Sequence, residues 1–167
     1  MPEFIGTPDG KGRRVAVVVS RFNETITQAL GEGAVATLVE CGVTFGDIDV
    51  VVVPGAWELP TATRALLGTG RYDACVVVGA VVRGDTPQFD FVAGETSRAI
   101  MTLSTEFEVP IGFGLLTTDT MAQAEARAGG EHGNKGRDAA LAALEMADLL
   151  SRLDAIDAGE RDGEAEA

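Results

Sequence analysis

A chain of 167 residues with 46% apolar content has enough hydrophobic material for one domain with a proper core. Its formal charge of −13 argues against nucleic acid and against anionic membrane as partners. Cys41 and Cys75 are too few and too scattered for a disulfide framework or a metal site, and neither a signal peptide nor an apolar run of about 20 residues is visible. Buried free thiols in a cytoplasmic protein are expected.

From the N-terminus, Phe4-Ile5 is a short apolar piece followed by Pro8, Gly10 and Gly12. It cannot build a core layer and needs a neighbour to pair with. Val15 to Val19 reads as a buried strand leaving through Ser20-Arg21-Phe22-Asn23, and Thr25 to Val39 as a helix that Gly42 ends. Gly31 and Gly33 lower that helix's propensity, so close packing must compensate. Ile48 to Val53 is the next strand, with Pro54-Gly55-Ala56-Trp57-Glu58 as its exit and a helix over Leu59 to Leu67 that tolerates Pro60 in its first turn.

Ala74 to Val82 is a nearly unbroken apolar run, too short for a membrane span and long enough for a buried strand. Behind it, Arg83-Gly84-Asp85-Thr86-Pro87 turns into a helix reaching about Thr105. Asp85 or Thr86 suits the cap and Pro87 the first helical position. Amide donors at such a helix start form an anion site, for which phosphate is the usual occupant; an ordinary capped turn is the plain alternative. A fourth strand follows over Pro110 to Leu116, leaving through Thr117-Thr118-Asp119-Thr120. A short helix spans Met121 to Ala128 and breaks at Gly129-Gly130, and Gly133-Asn134-Lys135-Gly136 turns into a last helix over Arg137 to Leu153. Residues 1–153 read as one domain. Asp154 to Ala167 is rich in acids, lacks apolar periodicity beyond Ile156, and reads as a frayed, solvated, disordered tail.

Strand and helix alternating four times imply an α/β fold with parallel strands and helices on both faces. Right-handed crossovers put every strand's carboxyl end on one edge, where ligands of open sheets sit. Phe22-Asn23, Ala56-Trp57-Glu58, Val81 to Gln88 and Phe113-Gly114 are therefore expected to converge. Phe22 and Trp57 are placed to cover a flat ligand or to fill the core. Glu58 is either a dipole-favoured acid in a first helical turn or an acceptor for a polyol. Arg127 suits a last helical turn and also a phosphate. Lys135 in its glycine-flanked turn reads as solvated. His132, the only histidine, lies in an exposed loop without a positioning partner.

Arg21-Phe22-Asn23, Pro54 to Pro60, Gly79 to Pro87, Leu116 to Thr120 and Gly133 to Gly136, in this order and spacing, closely resemble the 6,7-dimethyl-8-ribityllumazine synthase family from about Arg14 to Leu153. The resemblance implies a flavodoxin-like three-layer sandwich around a four-stranded parallel sheet, with an N-terminal strand pairing with a neighbouring subunit. It implies condensation of 5-amino-6-ribitylaminouracil with 3,4-dihydroxy-2-butanone 4-phosphate in riboflavin biosynthesis, with no cofactor and no metal. Phe22, with Asn23 beside it, would stack on the pyrimidine. Ala56, Trp57 and Glu58 would hold the ribityl chain, and Val81 and Val82 would meet the ring edge. Gly84, Asp85 and Thr86 would cradle the phosphate. Phe113, Gly114, Arg127 and Lys135 would come from a neighbour in a pentamer, Arg127 gripping the phosphate and Lys135 adding charge. Family pentamers stand alone, pair, or close into sixty-subunit shells; the compact Gly129 to Gly136 turn points to a shell, with riboflavin synthase as a further partner.

One position departs from the family. A histidine that shuttles protons, helped by an acid matching Asp138, is replaced by Gln88. Glutamine hydrogen-bonds but cannot accept and return a proton near neutral pH. Slowed chemistry is expected, with water or phosphate carrying protons. A non-catalytic ligand-binding or shell-forming relative is the competing reading, and a flavin-binding module of flavodoxin type is the reading the fold alone permits.

Overall fold

The computed structural model describes residues 1–166, with side chains described through residue 159. Four strands, β1 (Val15–Ser20), β2 (Ile48–Val53), β3 (Ala74–Val82) and β4 (Ile111–Thr118), form one parallel sheet in the order β2-β1-β3-β4. Side chains alternate across the sheet, as a two-residue repeat requires. Val15, Val17, Val19, Val76 and Val78 face α1 (Glu24–Glu40) and α5 (Lys135–Glu166). Ala16, Val18, Cys75 and Val77 face α2 (Leu59–Leu67) and α3 (Gln88–Phe107). Both sets are apolar because both faces are covered, which explains the unbroken valine runs of β1 and β3. The chain thus adopts the expected flavodoxin-like sandwich. Burial also pushes the Cys75 thiol up to about 12, so it packs as a small apolar group.

The two glycines of α1 are contact points. A side chain at Gly31 would press on Val19, and one at Gly33 would enter the space of Asn134. Asn134 donates Nδ2–H to the carbonyl of Ala29 (3.0 Å), and its Oδ1 accepts from the amide of Arg137 (3.1 Å), which caps the start of α5. Gly136 lies directly on the backbone of Leu30. Helices α1 and α5 therefore approach to backbone distance, as the low helix propensity of the glycines required.

Several boundaries differ from expectation for identifiable reasons. Strand β4 continues to Thr118 because its partner β3 runs on to Val82, and the two stay in register (Val82 with Thr118). Pro87, not Asp85 or Thr86, holds the cap position of α3, and no side chain caps that helix. Helix α4 (Met121–Ala126) is closed by a capping box between Thr120 and Gln123. It ends early because β5 (Ala128–Gly130) pairs with β6 (Gly133–Asn134) in a tight hairpin, for which Gly129 and Gly133 supply φ of 96° and 76°. The backbone of α5 is helical to Glu166, past Leu153, through residues of good helix propensity such as Ala155 and Ala158. The tail's acidic side chains from Glu160 onward lie outside the described residues.

The N-terminal residues run irregularly along α5. Thr7 donates its amide (2.8 Å) and hydroxyl (3.3 Å) to Asp148 Oδ2, which also receives Arg152 Nε (3.0 Å). The Thr7 amide, followed by Arg152, holds the Asp148 carboxyl below the usual carboxylate range. Phe4 and Ile5 stay exposed beyond this anchor. Among the described residues no helix is long and apolar enough to cross a membrane.

Candidate active site

The chain leaves β1 towards β2 on one side, and β3 lies on the other. Strand order therefore reverses between β1 and β3, where open α/β sheets bind ligands. A cleft of about 300 Å³ opens there. Its walls come from three connectors. Phe22 and Asn23 follow β1; Ala56, Trp57 and Glu58 form a 3-10 turn after β2; Val81, Val82, Gly84, Thr86 and Gln88 follow the body of β3.

Backbone bonds hold these connectors together. The amides of Arg21 and Phe22 donate to the carbonyls of Val53 (2.8 Å) and Pro54 (3.0 Å), tying the exits of β1 and β2. Asn23 takes left-handed backbone angles, φ 63° and ψ 51°, and donates its side-chain amide to the carbonyl of Ala80 (3.0 Å), tying β1 to β3. Its amide group is thus engaged by the scaffold at the cleft wall. The carbonyl of buried Ala56 accepts from Thr96 Oγ1 of α3 (3.3 Å). Phe22 and Trp57 are 72% and 58% exposed, so neither is a core aromatic. Both line the cleft, where an aromatic ring can stack on a planar ligand. The Glu58 carboxylate folds back over Gly55, where an added β-carbon would sit 3.2 Å from Oε2, so glycine leaves that acid room.

Gly84, Asp85 and Thr86 form an exposed loop between β3 and α3, and Gln88 opens the helix. No side chain caps α3, which leaves the amides of Gln88 and Phe89 at the positive end of the helix dipole, while that of Asp90 donates to the Pro87 carbonyl (3.1 Å). Backbone amides at such a helix start can receive an anion, and Thr86 and Gln88 stand beside them on the cleft wall.

The remaining candidates lie elsewhere. Phe113 sits in mid-strand β4, paired with Val77, and is 39% exposed. It shares a groove of about 810 Å³ with Lys135 and Asp138 beside the edge strand β4. Arg127 caps the end of α4, donating Nη1–H to the Gln123 carbonyl (3.0 Å), while its own carbonyl accepts from the Lys135 amide (2.9 Å). Phe113 and Gly114 do not reach the carboxyl edge within the chain, because β4 extends beyond them to Thr118. Gly114 is buried, and Val78 and Ala139 fill the room a side chain would need. His132 is exposed at the turn of the β5–β6 hairpin, away from the cleft. Among the described residues no group of three or more His, Cys, Asp or Glu side chains is placed to hold a metal ion.

One residue beside the cleft escaped the sequence reading. Arg83, just before the anion loop, donates Nε–H to Asp119 Oδ1 (2.9 Å) and pairs through Nη1 with Asp90 Oδ1 (3.4 Å). Its guanidinium carbon lies 4.2 Å from the centre of the Phe89 ring. The Asp119 hydrogen bond, then the charge of Asp90, raise the guanidinium pKa above its ordinary value. The signal was an arginine flanked by acids at the ends of two different elements, and only the β3–β4 pairing shows that they meet.

The sequence profile of the 6,7-dimethyl-8-ribityllumazine synthase family matches residues 12–151. The 6,7-dimethyl-8-ribityllumazine synthase of Gemmatimonas aurantiaca is 62% identical over 164 residues, which is 98% of this chain and 100% of that protein.

Proposed function

The chain belongs to the 6,7-dimethyl-8-ribityllumazine synthase family and is a transferase of riboflavin biosynthesis, and on that premise we propose how its residues divide the reaction. The reaction condenses 5-amino-6-ribitylaminouracil with 3,4-dihydroxy-2-butanone 4-phosphate. The pyrimidine lies on Phe22 and meets the backbone of Val81 and Val82. Its ribityl chain runs past Ala56 and Trp57 to the Glu58 carboxylate. The phosphate of the second substrate sits on Gly84, Asp85 and Thr86 at the start of α3. Orientation of two bound reactants carries much of the rate, because it replaces an encounter in solution with a fixed geometry.

Small-molecule substrates and homo-oligomers go with the family. In this proposal Phe113, Gly114, Arg127, Lys135 and Asp138 complete the cleft of an adjacent copy in a pentamer. The observation that carries the proposal is that Phe113, Lys135 and Asp138 line a groove at the β4 edge of the protomer, apart from the cleft at the carboxyl edge between β1 and β3. A ring of copies brings one edge against the other. Phe4 and Ile5, exposed beyond the Asp148 anchor, add a strand to the open edge of β2 in the next copy. The tight β5–β6 hairpin supports closure of pentamers into a shell, in which riboflavin synthase is the partner that uses the product. The free thiols of Cys41 and Cys75 fit a cytoplasmic location.

Gln88 stands on the cleft wall where the family's proton-shuttling histidine is ordinary. General acid–base help of that kind contributes about 10²–10⁴-fold, so turnover is slowed and not abolished. The test is to mix the two substrates with the protein and follow lumazine formation, with Gln88→His alongside. Product above the uncatalysed rate, and a gain in kcat of about tenfold or more for Gln88→His, is expected. Wild type at the uncatalysed rate favours the reading Gln88 itself suggests, a binding or shell-forming relative without catalysis.

A further inference from the structure

We propose that Arg83 is a specificity-determining residue for the phosphate-bearing substrate, acting by neutralising the carboxylates that border the anion loop. This rests on the phosphate reading of Gly84 to Thr86 given above.

The loop is a poor anion site on sequence charge alone. Asp85 lies within it, Asp90 stands in the first turn of α3, and Asp119 follows β4. All three are on or beside the short path from β3 into α3, because the amide of Arg83 donates to the Thr118 carbonyl (2.9 Å) and so draws the end of β4 against the loop. The backbone amides at the start of α3 favour an anion, but uncompensated carboxylates around them repel a phosphate dianion. Arg83 answers two of the three at once. Nε holds Asp119 and Nη1 holds Asp90, while the guanidinium plane lies over Phe89, next to Gln88. A lysine cannot reproduce this, because a single ammonium lacks the fork that reaches two carboxylates in different directions. With Nε and Nη1 turned to the two carboxylates, Arg83 serves the phosphate through the local field, and the loop's amides make the direct contact. The ion pairs are exposed, at 45% for the Arg83 side chain, so their value is in the sign of the field and little of it is fold stability.

The experiment measures KM for each substrate, and competitive inhibition by inorganic phosphate, at low and high ionic strength. The proteins are wild type, Arg83→Gln, Arg83→Lys, Asp119→Asn, Arg83→Gln with Asp119→Asn, and Thr86→Val. Expected for Arg83→Gln is a rise of about three- to tenfold in KM for the butanone phosphate and in the inhibition constant of phosphate, with KM for the ribityl uracil within about twofold of wild type. The deficit shrinks at high salt, Arg83→Lys recovers part of it, and Asp119→Asn lowers the phosphate KM more in the Arg83→Gln background than in wild type. Equal rises in both KM values, or additive effects of Arg83→Gln and Asp119→Asn, overturn the proposal and leave Arg83 a brace. Should Arg83→Gln not fold, Asp119→Asn decides: the proposal requires a lower phosphate KM, and a higher one overturns it. Thr86→Val separates the premise from the inference. A phosphate KM insensitive to both Thr86→Val and Arg83→Gln removes the loop as the phosphate site, whereas sensitivity to Thr86→Val alone overturns only the role of Arg83.

Discussion

Asn23 holds a backbone conformation that side chains with a β-carbon rarely take, and it does so at the wall of the cleft. Asparagine is among the residues that tolerate the left-handed region, and here its short amide also reaches the Ala80 carbonyl of β3 at 3.0 Å. Replacement by alanine keeps the strain and removes the bond. The combined cost is about 2 kcal/mol, and the expected fall in thermal midpoint is roughly 5 °C. Because Phe22 is the adjacent residue, KM for the ribityl-bearing substrate rises as well. Asn23→Gly removes the strain but not the lost bond, and falls between alanine and wild type in both measurements. A change in midpoint without any change in KM for either variant would limit Asn23 to a structural role. At this same scale, Arg83 and Gln88 show how identity and setting differ: one residue is informative through its type, the other only through what surrounds it.

Between elements, α1 and α5 approach to backbone contact. Gly136 meets the backbone of Leu30, and Gly33 meets the side chain of Asn134. A backbone carbonyl inside a packed helix cannot step aside, whereas an asparagine side chain can rotate at the expense of its bonds to Ala29 and Arg137. Overpacking of this kind costs about 1–3 kcal/mol. Gly136→Ala is therefore expected to lower the denaturant midpoint more than Gly33→Ala, and the reverse order would contradict this account of the contact. Lys135 and Asp138 ride on the same first turn of α5, so Gly136→Ala also displaces residues proposed to serve a neighbouring cleft.

Across the whole molecule, the edge strand β2 is unprotected. Val50 and Val52 are 52% and 57% exposed, Phe45 is 76% exposed, and together they line a groove of about 750 Å³ against α1. Asp49 is the one charge in this strand, and from Val50 to Val53 the edge is apolar and invites another chain. Opposing this is a formal charge of −13 on every copy, which salt screens. Light scattering is expected to give a mass of many chains, increasing in stability with ionic strength. Val52→Asp is expected to lower both the mass and the activity, since part of each proposed site comes from the neighbour. A mass near that of five chains would remove the shell and keep the pentamer; an active monomer would remove the shared site.

The sheet and its layers were legible in the residues because burial on both faces leaves an unbroken apolar run, as in Val76 to Val78, and because a strand–helix alternation with right-handed crossovers permits few arrangements. The same logic brought Phe22, Trp57, Glu58 and Gln88 to one edge before any coordinates. The β5–β6 hairpin was not legible, since glycine pairs signal a break without saying which way the chain closes. Nor was the place of Phe113, which depends on how far β4 continues in register with β3. The cap of α3 and the partners of Arg83 were likewise decided in three dimensions. Local patterns report the periodicity of burial, whereas a charge balance or a shared groove depends on distances between residues far apart in the chain, which only the packed fold sets.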